Sequence, residues 1–251
     1  MGKRITRKIA AGAVWLLVWQ LCWLAVGQDV LLPSPAGVAR RLGQLVCTLP
    51  FWQQVGLSLL RILTGYLLAL ALGAALGALT ARSRLADCLL SPALRTVRAI
   101  PVASFIILLF VLMSKEHIPT VTSFLMVLPV VWGNVTRGIA ETDPRLLELA
   151  RAYGFGRGRT LRRIYIPSVL PYFAAACRTS LGLAWKAGVA AEVLCQPQNA
   201  IGTQIYNTKY YLETPSLFAW TLVVIALSFL LEWAVGGLLR RAEGLEGGRR
   251  P

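Results

Sequence analysis

Long runs of apolar residues alternate with short polar segments along this chain of 251 residues. A helix needs about 20 mostly apolar residues to cross the hydrocarbon core of a bilayer. Six stretches have that length, approximately residues 9–27, 56–80, 91–113, 119–140, 168–193 and 215–239. The pattern predicts an all-α, polytopic membrane protein with six transmembrane helices, in which residues 1–251 form a single transmembrane domain.

Prolines and small residues interrupt several of these predicted spans. The prolines inside spans are Pro101, Pro129 and Pro171, and neighbouring helices must satisfy the carbonyls that they leave without a partner. Small residues recur every four positions in the second span, at Gly65, Ala69, Gly73 and Gly77. This repeat predicts one helix face that packs closely against another helix or subunit.

The first apolar stretch has two interpretations. It follows a basic N-terminus, and Ala25-Val26-Gly27 resembles a signal-peptide cleavage site. Because the stretch is about as long as a membrane span and the rest of the chain is also membranous, we interpret it as a retained first span.

Composition supports a membrane protein and argues against nucleic-acid binding. Hydrophobic residues make up 56% of the chain, charged residues only 15%, and the mean hydropathy is +0.62. The net charge of +15 would suit a nucleic-acid partner if it lay on the surface of a soluble domain. Here the basic residues occur in patches between apolar runs, so we expect no nucleic-acid partner.

The positions of lysine and arginine predict the orientation of the chain. With the N-terminus inside, 19 of the 26 basic residues fall in the inner segments and adjoining span ends, and five fall on the outer side. Cytoplasmic segments carry the excess of basic residues in membrane proteins. Both termini and the segment 141–167 are therefore predicted to be cytoplasmic.

The cysteines give no pattern of a metal site. All five are far apart, no CxxC occurs, and His117 is the one histidine, so no metal is expected. Cys47 and Cys195 are the two that fall in predicted outer segments. A bridge between them and a simple packing role for all five both remain open.

The segment 141–167 is polar and basic although it lies between two apolar spans. Asp143 suits a helix N-cap, Pro144 suits the first helical position, and Gly154 suits a left-handed C-cap. Thr160 is in position to cap a second helix that ends near Pro167. The pattern predicts two short helices joined by a glycine turn at the cytoplasmic surface.

Such a pair of helices has two possible roles. Its arginines favour an amphipathic helix that lies on anionic membrane lipid. Its small residues, Ala150, Ala152 and Gly154, instead favour a helix that docks into a groove of another protein. Physical reasoning alone leaves both roles open.

The order of residues in this segment resembles a family motif. Glu148 and Ala150 are followed by Gly154 and, after nine intervening residues, by Ile164-x-Ile166-Pro167. This spacing is similar to the EAA loop of type I ABC importer permeases, with Leu149 and Ile166 as departures. The resemblance implies a coupling helix that docks onto an ATPase subunit. The residues to which it assigns this role are Glu148, Ala150, Tyr153, Gly154, Ile164 and Pro167.

Other stretches resemble permeases of the nitrate, sulfonate and taurine importer group. They include Leu32-Pro33-Ser34-Pro35 with Val38, SLLRILTGYLLALALGAALG at 58–77, Ile100-Pro101, and LGLAWKAGVAAEVL followed by AIGTQI. The segment FVLMS at 110–114 departs from the Trp-Phe-Gly that often stands there. The resemblance implies import of a small, anionic solute, with a pyrimidine-precursor-like substrate as the alternative.

The same resemblance implies partners and a location. The partners would be two ATP-binding subunits, a second permease copy that forms a homodimer, and an extracytoplasmic solute-binding protein, in the lipid of a bacterial inner membrane. The chain has no GxxxxGK[ST] phosphate loop and no catalytic constellation in a span, so we expect no enzyme activity. ATP and Mg would bind the ATPase subunit, and no cofactor is expected on this chain.

Ionisable residues within the fifth predicted span form a candidate translocation path. At 100 degrees per residue, Arg178, Trp185, Lys186 and Glu192 share a stripe about 120 degrees wide. Such residues inside a membrane usually mark a pathway or a paired contact. The alternative is that Arg178 extends toward the inner interface while Lys186 and Glu192 approach the outer one.

Two other functions compete with an importer subunit. One is a standalone channel or secondary transporter, although no internal repeat typical of many carriers is evident. The other is a membrane scaffold or sensor whose cytoplasmic loop binds a signalling partner. A requirement for ATP and a soluble binding protein would separate the importer from both.

Overall fold

The fold is all-α, as predicted. The structure, a computed structural model, describes the backbone of residues 2–247 and the side chains of residues 10–240. Several basic residues used to predict the orientation, at positions 3–8 and 241–250, therefore lie outside the described side chains. The helices are α1 (Gly2–Val26), α2 (Pro35–Val46), α3 (Leu49–Arg82), α4 (Arg84–Ala99), α5 (Val102–Leu112), α6 (Ile118–Ala140), α7 (Pro144–Ala152), α8 (Arg157–Thr160), α9 (Ile166–Cys195), α10 (Ile201–Tyr210) and α11 (Thr214–Gly247).

Three long helices form the centre of the bundle, with α6 packed between α3 and α9. The small residues of α3 face α6 and permit a close approach of the two backbones. A Cβ atom added at Gly73 would lie 2.9 Å from Val131 Cβ, and one added at Gly77 would lie 2.8 Å from Val135 Cβ. The predicted close-packing face is therefore the contact between α3 and α6.

Not every predicted span is a straight apolar helix. Among the described residues, α3, α6 and α11 are long and apolar enough to cross a membrane, and α4 with α5 forms a fourth candidate as a bent pair. The described apolar part of α1 is shorter, at Ala10–Val26, and α9 has 30 residues but carries Arg178, Lys186 and Glu192. The membrane fold is clear, and the count of six spans stays a prediction.

The third predicted span, 91–113, is wrong as a single helix. The chain bends by 107 degrees between α4 and α5, at Ile100 and Pro101. Proline has no N–H to donate and disfavours helical geometry in the residue before it. Ile100 accordingly adopts extended backbone angles, φ −73 and ψ 130, and α5 starts again after the proline.

Helices α2 and α10 both pack against α11. Ser34 caps α2 as expected, since its hydroxyl accepts a hydrogen bond from the Gly37 N–H at 3.1 Å. Arg41 of α2 reaches α11, where its Nε donates to Ser216 Oγ at 2.7 Å. Helix α10 lies against both α9 and α11.

Cys47 is an exposed free thiol and Cys195 a buried one, so the bridge left open above does not form.

Candidate functional site

Helix α7 is short, and its N-terminus is capped by a side chain. The Asp143 side chain accepts a hydrogen bond from the Arg145 N–H at 2.9 Å, and Pro144 occupies the first turn. Glu148 is exposed and Tyr153, just past the helix end, is 73% exposed, whereas Ala150 is 3% exposed. Ala150 is thus covered, whereas the acidic and aromatic side chains point outward.

The end of α7 is fixed by a Schellman motif. Gly154 has a φ of +66, its N–H donates to Arg151 O at 3.0 Å, and the Phe155 N–H donates to Ala150 O at 2.8 Å. These two bonds satisfy carbonyls that a helix end otherwise leaves free. A Cβ atom at Gly154 would meet nothing within 4 Å. Glycine is therefore favoured there by backbone conformation and not by lack of space.

The chain then runs into α9 without a second turn. Gly156 precedes α8, a π-helical turn covers Leu161–Tyr165, and α9 follows at once. The Ile166 N–H donates to Leu161 O, five residues back, next to Pro167, which has no N–H to donate. The prediction that Thr160 caps a separate helix is wrong, because Thr160 lies within this continuous helical stretch and donates to Gly156 O.

The structure divides the six predicted coupling residues into two groups. Ala150 and Ile164 are buried, at 3% and 8% exposure. The other four are exposed on α7, its C-terminal turn and the first turn of α9, namely Glu148, Tyr153, Gly154 and Pro167. The exposed group is the part of the segment available to a partner.

The segment 141–167 itself carries six exposed arginines. They are Arg145, Arg151, Arg157, Arg159, Arg162 and Arg163. The Arg159 guanidinium lies over the Phe155 ring, 5.3 Å from its centroid, in a cation–π contact. The surface is strongly basic and suits either acidic side chains of a partner or anionic lipid head groups.

A cleft of about 620 Å³ opens beside the π-helical turn. Its walls are mainly apolar and come from α3, α6 and the start of α9, with Ala78, Ile139 and Val169 among them. Tyr165 of the π-helical turn also lines it. The N-terminal end of α9 therefore borders open space on one side.

The four predicted path residues of α9 do not share one exposed surface. Arg178 and Lys186 are exposed, whereas Trp185 is 1% exposed and Glu192 is fully buried. The Trp185 Nε1–H donates to Val224 O of α11 at 3.0 Å. Glu192 Oε2 accepts from Ser58 Oγ of α3 at 2.8 Å and from the Gly202 N–H of α10 at 3.1 Å.

Two other polar residues near α9 were not singled out by sequence reasoning. Ser58 gave no signal, because nothing in the sequence pairs α3 with the far end of α9. Glu232 of α11 is exposed, and its Oε1 lies 3.6 Å from where a Cβ of Gly182 would stand, one turn beyond Arg178. A carboxylate inside the last predicted span was a signal that could have found it.

Comparison with known proteins agrees with this architecture. The chain is 27% identical over 235 residues to a putative aliphatic sulfonates transport permease of Bacillus subtilis, covering 91% of this chain and 83% of the relative. It is 30% identical over 208 residues to a nitrate import permease of Synechococcus elongatus, covering 77% and 73%. The fold matches a chain of the MetNI methionine ABC transporter in an inward-facing conformation with a TM-score of 0.60 at 16% identity, over 76% of this chain and 93% of that one.

The family model that matches is the one for binding-protein-dependent transport system inner membrane components. It covers residues 69–244, which include α4 to α10, the C-terminal part of α3 and most of α11. The match therefore contains the segment 141–167, the π-helical turn and all of α9. This chain belongs to the family of binding-protein-dependent transport system inner membrane components.

Proposed function

We propose that this chain is the membrane-spanning subunit of an ATP-driven importer for a small anionic solute, with both termini in the cytoplasm. The observation that carries the proposal is the helical connection between α7 and α9. An exposed helix with a fixed C-terminal turn leads through α8 and the π-helical turn directly into the central bundle. A partner that displaces α7 would therefore act on α9.

The partner in this proposal is an ATPase subunit, of which two serve two copies of this chain. Tyr153 and Glu148 supply an exposed aromatic ring and carboxylate on α7. Aromatic and arginine side chains are the residues that most often dominate the energy of a protein interface. The exposed arginines of the segment would then lie at the rim, next to the partner or to anionic membrane lipid.

In this proposal two copies of the chain form a homodimer. Many large apolar side chains of the described residues are exposed, among them Ile107 and Val111 of α5 and Phe229 and Trp233 of α11. Surfaces of this kind contact lipid or another subunit inside a membrane. An extracytoplasmic solute-binding protein completes the assembly on the opposite side, consistent with the name of the family.

The substrate class rests on α9 and on the relatives. Arg178 and Lys186 are exposed on α9 and would give a path a positive charge that attracts an anion. The relatives described above are named for aliphatic sulfonates and nitrate, both of them anions. We therefore expect a sulfonate-like or nitrate-like solute. Trp185 and Glu192 act in this proposal by supporting α9 from its buried side.

Co-purification of an ATPase subunit from host membranes tests the proposal. Gly154→Val should abolish it, because a β-branched residue does not tolerate a φ of +66. Gly154→Asn is the matched control, since asparagine adopts left-handed geometry at little cost. The proposal requires that an ATPase subunit accompany the wild type and the asparagine variant but not the valine variant.

Two results would contradict the proposal. If no ATPase subunit accompanies the wild type, segment 141–167 is better explained as a lipid-bound helix. If the valine variant retains the ATPase subunit as well as the asparagine variant does, the geometry of the α7 terminus is irrelevant to docking.

A further inference from the structure

Helix α10 has no N-cap of its own. Ala200 precedes it, and no side chain at that position accepts a hydrogen bond from the first turn. The Ile201 N–H instead donates to Ser58 Oγ at 2.9 Å, and the Gly202 N–H donates to Glu192 Oε2 at 3.1 Å. Ser58 Oγ also donates to the same Glu192 oxygen, at 2.8 Å. Side chains of α3 and α9 therefore cap α10 together.

The first turn of α10 lies directly on the backbone of α9. A Cβ atom at Gly202 would lie 2.5 Å from the Val193 backbone nitrogen, which is closer than real Cβ atoms come. No side chain fits between the two helices at this point. The contact leaves α10 little freedom to shift independently of the C-terminal end of α9.

The junction of Ser58, Glu192, Ile201 and Gly202 is completely enclosed. Ser58, Glu192 and Ile201 each have no exposed surface. A carboxylate within a membrane-spanning helix is costly and normally has a specific partner or role. Here the partner is a helix N-terminus, whose partial positive charge and free N–H groups favour a negative group. Glu192 Oε1 has no hydrogen-bond partner, so Oε2 carries the whole contact.

A second set of contacts holds the connection between α9 and α10. Arg61 Nη2 donates to Glu116 Oε2 at 2.6 Å and to Gln198 O at 2.9 Å. Glu116 Oε1 accepts from the Gln198 N–H at 2.9 Å. Gln196 and Asn199 adopt left-handed backbone angles, with φ values of 50 and 48. The short connection is thus tied to α3 and to the residues before α6.

We infer that Glu192 is a positioning residue that makes α10 move together with α9 during transport. The inference rests on the proposed function, because it assigns α10 to the moving parts of an importer. In this arrangement Glu192 acts through the α10 backbone and does not touch the solute. Displacement of α7 at one end of α9 would therefore reach α10 at the other.

Hydrogen exchange of the α10 amides, measured on the whole transporter in lipid nanodiscs, tests the inference. In Glu192→Gln the backbone amides of residues 201–204 should exchange roughly tenfold faster, because the carboxyl group at the helix start is replaced by an amide with one acceptor oxygen instead of two. Uptake per ATP hydrolysed, with ethanesulfonate and nitrate as probes, should also fall roughly tenfold, as expected when coupling between sites is weakened.

Two further variants separate positioning from other roles of Glu192. Ser58→Ala removes the hydroxyl that accepts from the Ile201 N–H and leaves residue 192 unsubstituted, so it should reproduce the exchange and uptake changes. It also carries the test if Glu192→Gln cannot be purified in folded form. Glu213→Gln is the control, because its carboxylate is half exposed and lies near the start of α11. It should leave the exchange at residues 201–204 unchanged.

Two outcomes would overturn the inference. Loss of uptake in Glu192→Gln with unchanged exchange at residues 201–204 would place Glu192 in the solute path. Faster exchange with unchanged uptake would show that transport does not depend on the position of α10. Failure of the proposed function gives a separate result, namely a wild-type complex without ATP-dependent uptake, and the exchange comparison still reports whether Glu192 anchors α10.

Discussion

The two ends of α9 are built in opposite ways. At its N-terminal end, the segment 141–167 exposes Tyr153, Glu148 and several arginines. At its C-terminal end, Glu192 and Ser58 are fully buried, and the first N–H groups of α10 have partners within the chain. The comparison fits the proposed function, in which the first end is completed by another protein, whereas the second is completed by the chain itself.

Overpacking near the buried end should have the largest effect. A Cβ atom at Gly188 would lie 2.5 Å from Ile62 Cγ1 and 2.7 Å from Ser123 Oγ. Gly188→Val should therefore lower the stability of the purified protein by about 3 kcal/mol or prevent folding. Gly156→Val is the control at the other end, where nothing lies within 4 Å and φ is −66. Equal melting temperatures for the two variants would contradict the difference in packing between the two ends of α9.

Removing the exposed Tyr153 ring should weaken binding to the ATPase subunit without lowering the stability of the fold. Tyr153→Ala removes a side chain that is 73% exposed, so the melting temperature of the isolated chain should not change. Its affinity for the ATPase subunit should fall by about 2 kcal/mol, as for an aromatic hot spot. Titration of the purified ATPase subunit into nanodiscs measures this. An unchanged affinity would remove Tyr153 from the interface.

The exposed lysine of α9 should matter for uptake alone. Lys186→Met should reduce uptake about fivefold, corresponding to about 1 kcal/mol for unit charges 4 Å apart in water. ATPase docking should stay unchanged, because the segment 141–167 is not altered. Uptake at the wild-type rate would remove Lys186 from the path.

Loss of the α7 N-cap should have the smallest effect. Asp143→Ala removes the side chain that accepts from the Arg145 N–H, which should cost about 1 kcal/mol of local helix stability. Faster amide exchange confined to residues 145–149 is the expected result, whereas Asp143→Ser should restore the wild-type rate. Exchange that changes equally along α9 would show that α7 has no stability of its own.

Local signals in the sequence predicted the exposed end of α9 well. Asp143, Pro144 and Gly154 define the start and end of α7 by chemistry that acts within a few residues. The helix expected to start at Thr160 is absent, because the chain stays helical from α8 through the π-helical turn. Pro101 gives an ambiguous signal for a similar reason, because a proline can be tolerated within a span or can bend it, and here the chain bends by 107 degrees.

The contacts at the buried end of α9 cannot be predicted from local sequence signals. A helical wheel placed Trp185 and Glu192 beside Lys186, but it gives only angles around the helix and does not show which angle faces the core. Glu192 is buried because α10 folds back onto α9, and this depends on Ser58, which is 134 residues away in the chain. Contacts of that range are not encoded in any local pattern.

Amide exchange at residues 201–204 of wild-type transporter, with and without bound ATP, tests most directly whether the two ends are linked. Closure of the ATPase dimer should alter this exchange in the wild type and in Gly154→Asn, and should leave it unaltered in Gly154→Val. Identical exchange with and without ATP in the wild type would contradict the account, because movement at α7 would then not reach α10.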